Sequence, residues 1–245
     1  MIVEVCVDSV EGAEAAQQGG ADRVELCAAL LEGGLTPSAG TIARAVERLR
    51  IGIQVMVRPR GGDFLYSDAE FDVMARDVDA AKQAGAAGVV LGILDRDGVV
   101  DAERSWHLIA RARPLSVTFH RAFDMARDPF EALETLVDLG VDRILTSGQE
   151  ASAWDGVDLL RDLVRTAAGR LVIMPGGGIH ERNIGRLVDA TGAQEVHVTG
   201  TRLVESAMTF RNPHCMMGGS LHPPEYEVRA TDPERIQELV RLARR

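Results

Sequence analysis

Gly20-Ala-Asp-Arg-Val-Glu-Leu26, Gly85-Ala-Ala-Gly-Val-Val-Leu91, Gly140-Val-Asp-Arg-Ile-Leu-Thr146 and Gly192-Ala-Gln-Glu-Val-His-Val198 are four versions of one phrase. In each, a Gly able to take a positive φ ends a helix, and apolar, mostly β-branched residues open a strand at once. Successive copies begin 65, 55 and 52 residues apart, which leaves room for two strand–helix units each. Four βαβα quarters predict an eight-stranded parallel barrel, and 245 residues suits one (β/α)8 domain.

Four further strands lie between the phrases, Ile2–Val7, Ile53–Arg58, Leu115–His120 and Leu171–Met174, each bounded by Gly, Pro or a polar turn. Helical periodicity and start signals cover Ser38–Arg50, Ser67–Ala84, Asp101–Arg113, Pro129–Leu139, Val157–Ala168 and Glu181–Ala190. Pro129 suits a first helical turn, where its missing N–H removes no bond. The alternation stops after the eighth strand: Thr201–Thr231 is a long segment punctuated by Pro and Gly, and a closing helix, Pro233–Arg244, follows. The expected fold class is α/β, a single-domain TIM barrel over residues 1–245.

A formal charge of −10 gives no electrostatic reason to approach a phosphate backbone or an anionic membrane, so neither nucleic acid nor membrane is an expected partner. Three widely spaced cysteines, Cys6, Cys27 and Cys215, fit a reducing compartment. The start runs straight into a strand, with no basic n-region and no apolar run long enough to span a bilayer. The expected location is the cytoplasm.

Strand alternation divides the side chains between two faces. The fourth and sixth residues after each phrase Gly are Val24/Leu26, Val89/Leu91, Ile144/Thr146 and Val196/Val198, an almost wholly apolar set that should meet the helices. The opposite face then lines the lumen and carries Arg23, Glu25, Cys27, Arg143, Ser147, Glu195, His197 and Thr199. The same parity sends Glu4, Cys6 and Asp8, Gln54, Met56 and Arg58, and Thr118 and His120 inward. Buried charges need partners. Glu4, Arg23, Arg143 and Glu195, early in their strands, are expected to form an ion-pair layer at the closed end. Glu25, Cys27, Arg58, His120, His197 and Thr199, late in theirs, are expected at the C-terminal mouth, where barrel enzymes place their chemistry.

The third strand leads into Val57-Arg-Pro-Arg-Gly-Gly-Asp-Phe-Leu-Tyr-Ser67. Such a loop either closes over an anion through Arg58 and Arg60 or is a rigid turn whose Arg residues pair with nearby acids. Arg58-Pro-Arg-Gly-Gly-Asp-Phe64, with Gly19-Gly-Ala-Asp-Arg-Val-Glu-Leu-Cys27, Glu32-Gly-Gly-Leu-Thr-Pro-Ser38, Phe119-His-Arg-Ala-Phe-Asp124, Leu145-Thr-Ser-Gly-Gln149 and Met174-Pro-Gly-Gly-Gly-Ile179, closely resembles the CutC family of copper homeostasis proteins. The resemblance covers nearly the whole chain. It implies a cytosolic TIM-type barrel, commonly a homo-oligomer, linked to copper tolerance, and it names the fold more directly than any reaction.

The residues themselves offer two chemistries. Cys6 and Cys27 end the first two strands on the inward face, and adjacent strands lie about 4.8 Å apart, so both thiols can approach one copper ion with Met56 or His120 as a third ligand. A buried Cys also serves as a small hydrophobe, and no Cys-x-x-Cys pair imposes a chelate. His214-Cys-Met-Met217, with His222 nearby, is either a second soft-ligand group or loop packing. In the other chemistry, Glu25 and His120 move protons and Arg58 holds a carboxylate or phosphate, with Asp8 and Asp124 as orienting groups. Arg60, Ser147 and Gln149 are further substrate or anion contacts, joined by Gly177, Gly178, Thr199 and Gly200 in loops where many barrels bind phosphate through backbone N–H groups. No Gly-x-Ser-x-Gly elbow and no Gly-x-Gly-x-x-Gly turn is present, so neither a serine hydrolase nor a dinucleotide cofactor is expected. The chain is therefore expected to be a CutC-type protein holding copper at the barrel mouth or, alternatively, a lyase, isomerase or hydrolase acting on a small anionic or polyhydroxy metabolite.

Overall fold

The computed structural model describes residues 1–215 and 226–245. In chain order the barrel is β1 (Ile2–Val7), α1 (Val10–Gln18), β2 (Arg23–Leu26), α2 (Ala39–Arg48), β3 (Gly52–Met56), α3 (Asp68–Ala84), β4 (Gly88–Leu91), α4 (Ala102–Ala112), β5 (Ser116–Phe119), α5 (Pro129–Asp138), β6 (Arg143–Thr146), α6 (Val157–Ala167), β7 (Val172–Pro175), α7 (Ile184–Thr191) and β8 (Glu195–Val198). The eight strands form one parallel sheet in the order β7-β6-β5-β4-β3-β2-β1-β8, and a parallel bridge from Gly176 to His197 joins its two ends. This is the (β/α)8 architecture the four phrases predict. All four phrase glycines, at 20, 85, 140 and 192, have φ between 69° and 88°, the left-handed conformation that lets the chain leave a helix and enter a strand without a side-chain clash.

Local chemistry sets the helix starts. Ser67 and Glu70 form a reciprocal capping box on α3, and Asp101 and Asp128 accept from the first N–H groups of α4 and α5, the latter opening with Pro129. α7 starts three residues later than its periodicity suggests, because Asn183 closes a turn, accepting from His180 N and donating to Gly178 O. β3 and β5 end before Arg58 and His120, which therefore stand in the first turns beyond the sheet. The segment after β8 also differs from the sequence reading. It contains an antiparallel pair, β9 (Thr201–Glu205) and β10 (Glu227–Thr231), and α8 (Pro233–Ala243) closes the described chain.

Outward residues Val24, Leu26, Val89, Leu91, Ile144 and Val196 are wholly buried between sheet and helices. The lumen is polar at its closed end. Arg23 bridges Glu4 (2.5 Å) and Glu195, Arg143 bonds Glu195 (3.0 Å) and Thr118 (3.2 Å), and all five groups are largely shielded from water. This is the expected ion-pair layer. A second polar device repeats half a barrel apart: Asp22 accepts from Val3 N and Asp142 accepts from Val117 N, each at 2.8 Å. Among the described residues no helix is long and apolar enough to cross a membrane.

Candidate functional site: a buried thiol cluster above the ion-pair layer

The register places Cys6 beside Glu25 across β1 and β2, and Glu4 beside His197 across β1 and β8. Inward parity then gathers their side chains in one small volume. Cys6 Sγ lies 3.9 Å from Cys27 Sγ, and Cys27 Sγ lies 3.4 Å from Glu25 Oε2. His197 Nδ1 lies 2.8 Å from Glu4 Oε1, and its Nε2 lies 3.7 Å from Glu25 Oε2. Met56 and Val90 pack with the two cysteines, and Leu30 leans on the cluster from the β2–α2 loop. The loop comes very close: a Cβ on Gly34, whose φ is +90°, would sit 3.1 Å from Cys27 Sγ and 3.6 Å from Met56 Cε. Only a glycine allows that approach.

Electrostatics set the two thiols apart. The hydrogen bond from Cys27, against the upward push of burial and with help from His197, draws Cys6 down to about 5. The same shared bond, reinforced by burial, raises Cys27 well above the ordinary thiol range. Cys6 is therefore the thiolate at neutral pH and Cys27 its donor. Burial pushes Glu25 well above the usual carboxylate range despite the pull of His197, and its Oε1 is buried with no partner. Burial alone would raise Glu4, but the His197 hydrogen bond and the Arg23 charge bring it to about 2. Burial would likewise lower His197, and the facing Glu25 and Glu4 carboxylates lift it well above the ordinary value instead.

Arg58 and His120 lie at the rim of this volume. The Arg58 guanidinium donates to the carbonyls of Glu32 (2.8 Å), Gly34 (3.1 Å) and Gly62 (2.9 Å), tying the β2–α2 and β3–α3 loops together above the thiols. Phe64 connects the two residues, with Arg58 5.1 Å over its ring and the His120 ring 5.1 Å away. Burial, followed by the Arg58 charge, holds His120 down at about 3. Its Nδ1 accepts from Ala122 N, so the neutral ring carries its hydrogen on Nε2, which is buried and unpartnered.

The remaining sequence candidates stand apart from the thiols. Arg60 is engaged by Glu70 (2.6 Å), Asp63 (3.0 Å) and three backbone carbonyls. Ser147 accepts from Arg121 (2.7 Å), whose guanidinium also covers Gly177, and Gln149 donates to Ala126 O at 2.6 Å. Gly178 backs onto Ser152, Thr199 is exposed, and Gly200 allows α8 to close in, since a Cβ there would overlap Ile236. Asp8 is exposed, whereas Asp124 accepts from Ser147 N and Thr146 Oγ1. Cys215 is exposed; Met216, Met217 and His222 lie outside the described residues.

Sequence reasoning assigned no site role to Glu4 or Arg121, and it placed His197 among the mouth residues without naming its partner. Parity alone put His197 in the lumen. Its pairing with Glu4 depends on the register between the first and last strands, which only barrel closure defines.

The sequence profile of the CutC family matches residues 1–202. The chain belongs to the CutC family. It is 50% identical over 243 residues to the human copper homeostasis protein cutC homolog, covering 99% of this chain and 89% of that one. A CutC family protein from Parabacteroides distasonis is 48% identical over 241 residues, 98% of this chain and 99% of that one. The crystal structure of a CutC from Streptococcus agalactiae superposes with a TM-score of 0.78 at 33% identity, covering 81% of this chain and 98% of its own. Most of the β9–β10 ribbon and all of α8 lie beyond the span of the CutC family profile.

Proposed function

We propose that this CutC chain acts in copper homeostasis by holding Cu(I) inside the barrel through Cys6 and Cys27, with Met56 as the adjacent soft donor. The observation that carries this reading is the thiol pair itself: two buried sulfurs 3.9 Å apart, packed against a thioether. Thiolate and thioether ligands favour Cu(I) over harder ions. The depressed Cys6 thiol supplies one ligand already ionised at neutral pH, and burial shields the bound ion from water and oxidants. The enzyme reading has less behind it, because Arg58 and Arg60, its anion-holding cations, direct most of their N–H groups at carbonyls and carboxylates of the chain itself.

An anaerobic Cu(I) titration against a chelator of known strength tests the proposal. Native protein is expected to take up one equivalent, and Cys6→Ser/Cys27→Ser to take up none at that site; unchanged binding by the double variant would remove these ligands from consideration. The reduced thiols also support a cytoplasmic setting. A homo-oligomer is supported by the β9–β10 region, where Leu203, Val228, Met208 and Phe210 are all more than half exposed. Light scattering on the eluting protein should give a multiple of 26.4 kDa, and a monomer at micromolar concentration would argue against assembly.

A further inference from the structure

We propose that Cys6, Cys27, Glu25 and His197 together form a four-coordinate site for a borderline divalent ion, with zinc as the type case. The proposal rests on the copper reading only for the two thiolates. Cu(I) would draw on the soft end of the cluster, whereas a divalent ion would use all four donors.

The first support is metrical. With Zn–S near 2.3 Å and Zn–N or Zn–O near 2.05 Å, a tetrahedral ion needs ligand edges of about 3.8 Å (S to S), about 3.6 Å (S to O) and about 3.3 Å (N to O). Three of the six edges of such a site can be measured: 3.9 Å between the cysteine sulfurs, 3.4 Å from Cys27 to Glu25, and 3.7 Å from His197 Nε2 to Glu25. Glu25 is the shared member of two donor groups, Cys6/Glu25/Cys27 and Glu4/Glu25/His197, within each of which the ligand atoms all lie within 4.8 Å of one another.

The second support is an unmet valence. Glu25 is 2% exposed, and its Oε1 has no partner. Oε2 is the oxygen that faces Cys27 and His197, so a cation among these donors satisfies the bare Oε1 when the carboxyl group grips it through both oxygens.

The third lies behind the ligands. His197 gives Nδ1 to Glu4 at 2.8 Å, which fixes the ring and leaves Nε2 facing the cluster, and Glu4 is held in turn by Arg23 at 2.5 Å. A carboxylate behind the outer nitrogen is the usual support of a metal-bound imidazole. Glu4 and Arg23 are thereby positioning residues, and His197 and Glu25 decide which metals the thiols can share.

Metal-free protein titrated anaerobically with Co²⁺, the coloured stand-in for zinc, tests this directly. One equivalent is expected to give thiolate-to-cobalt charge transfer together with the intense visible bands of a tetrahedral ion, and Zn²⁺ should displace it. Pale octahedral bands, or none, would overturn the proposal. His197→Ala and Glu25→Gln should each lose zinc affinity by about tenfold more than they lose Cu(I) affinity. Equal losses for the two metals would overturn it as well. The spectrum of native protein needs no variant to fold, so it decides the matter even if His197→Ala unfolds. Cu(I) bound without Co²⁺ or Zn²⁺ defeats this inference alone; Co²⁺ and Zn²⁺ bound without Cu(I) defeats the copper reading alone.

Discussion

Glu4 shows how much one buried carboxylate organises. It joins Arg23 on β2 to His197 on β8, and it is completely shielded from solvent. Glu4→Gln leaves Arg23 short of a charge partner, and breaking a buried pair in this way costs roughly 3–5 kcal/mol, which a urea unfolding curve will show. The pH dependence has a defined sign. Glu4 titrates at about 2 in the fold against 4.5 in a free chain, so its contribution is complete above 4.5 and disappears as pH falls towards 2. His120 titrates at about 3 against 6.5, so the unfolded chain binds its proton first and stability declines as pH drops below 6.5. His197 acts in the other direction: its raised value makes its contribution full below 6.5 and lost as pH climbs through the folded value. Below pH 4.5 native protein should therefore lose stability more steeply than Glu4→Gln, which keeps the His120 share of the decline down to about pH 3 but lacks the Glu4 share. At this scale strand parity alone was enough to put Cys6, Glu25 and Cys27 on one face. It could not reveal that Cys6 and Cys27 differ in protonation, because that depends on which neighbour donates.

The loops after β2 and β3 carry the cover of the site, and Arg58 is their fastener. Three charge-assisted hydrogen bonds from one guanidinium hold Glu32, Gly34 and Gly62 in place. Arg58→Met keeps much of the apolar stem and removes the fastener. Loss of even one such bond, about 1.5–3 kcal/mol, should raise local opening by tenfold or more. Reaction of Cys6 with a thiol reagent in a Cys215→Ser background under native conditions reads that opening, and an unchanged rate would show that the loops stay closed without Arg58. The strands were legible because each phrase couples a helix stop to a strand start. Arg58 and His120 also read as strand residues, since inter-strand bonds run on to Val57 N with Val90 O and His120 N with Leu91 O, at the very edge of the ladders. β9 and β10 were missed because short, charged strands such as Thr201-Arg-Leu-Val-Glu205 lack the apolar content that marks a buried strand.

Over the whole molecule, the polar lumen and the apolar outer layer follow from one parity rule applied eight times, so the barrel was legible from the sequence. The register at the closing seam was not: the pairing of β8 with β1 and of Gly176 with His197 belongs to the assembled sheet. The carboxylates of Asp22 and Asp142 repeat one contact in the two halves of that assembly. Two stretches of one polypeptide solve the same backbone problem with the same side chain, each tying down a strand two elements earlier. Such duplication is what tandem fusion of a half-sized ancestor would leave behind. Fragments 1–113 and 114–245, produced together, should then recombine into a particle of native mass, each offering a raw edge to the other, and fragments that never associate would show that this kinship is only apparent.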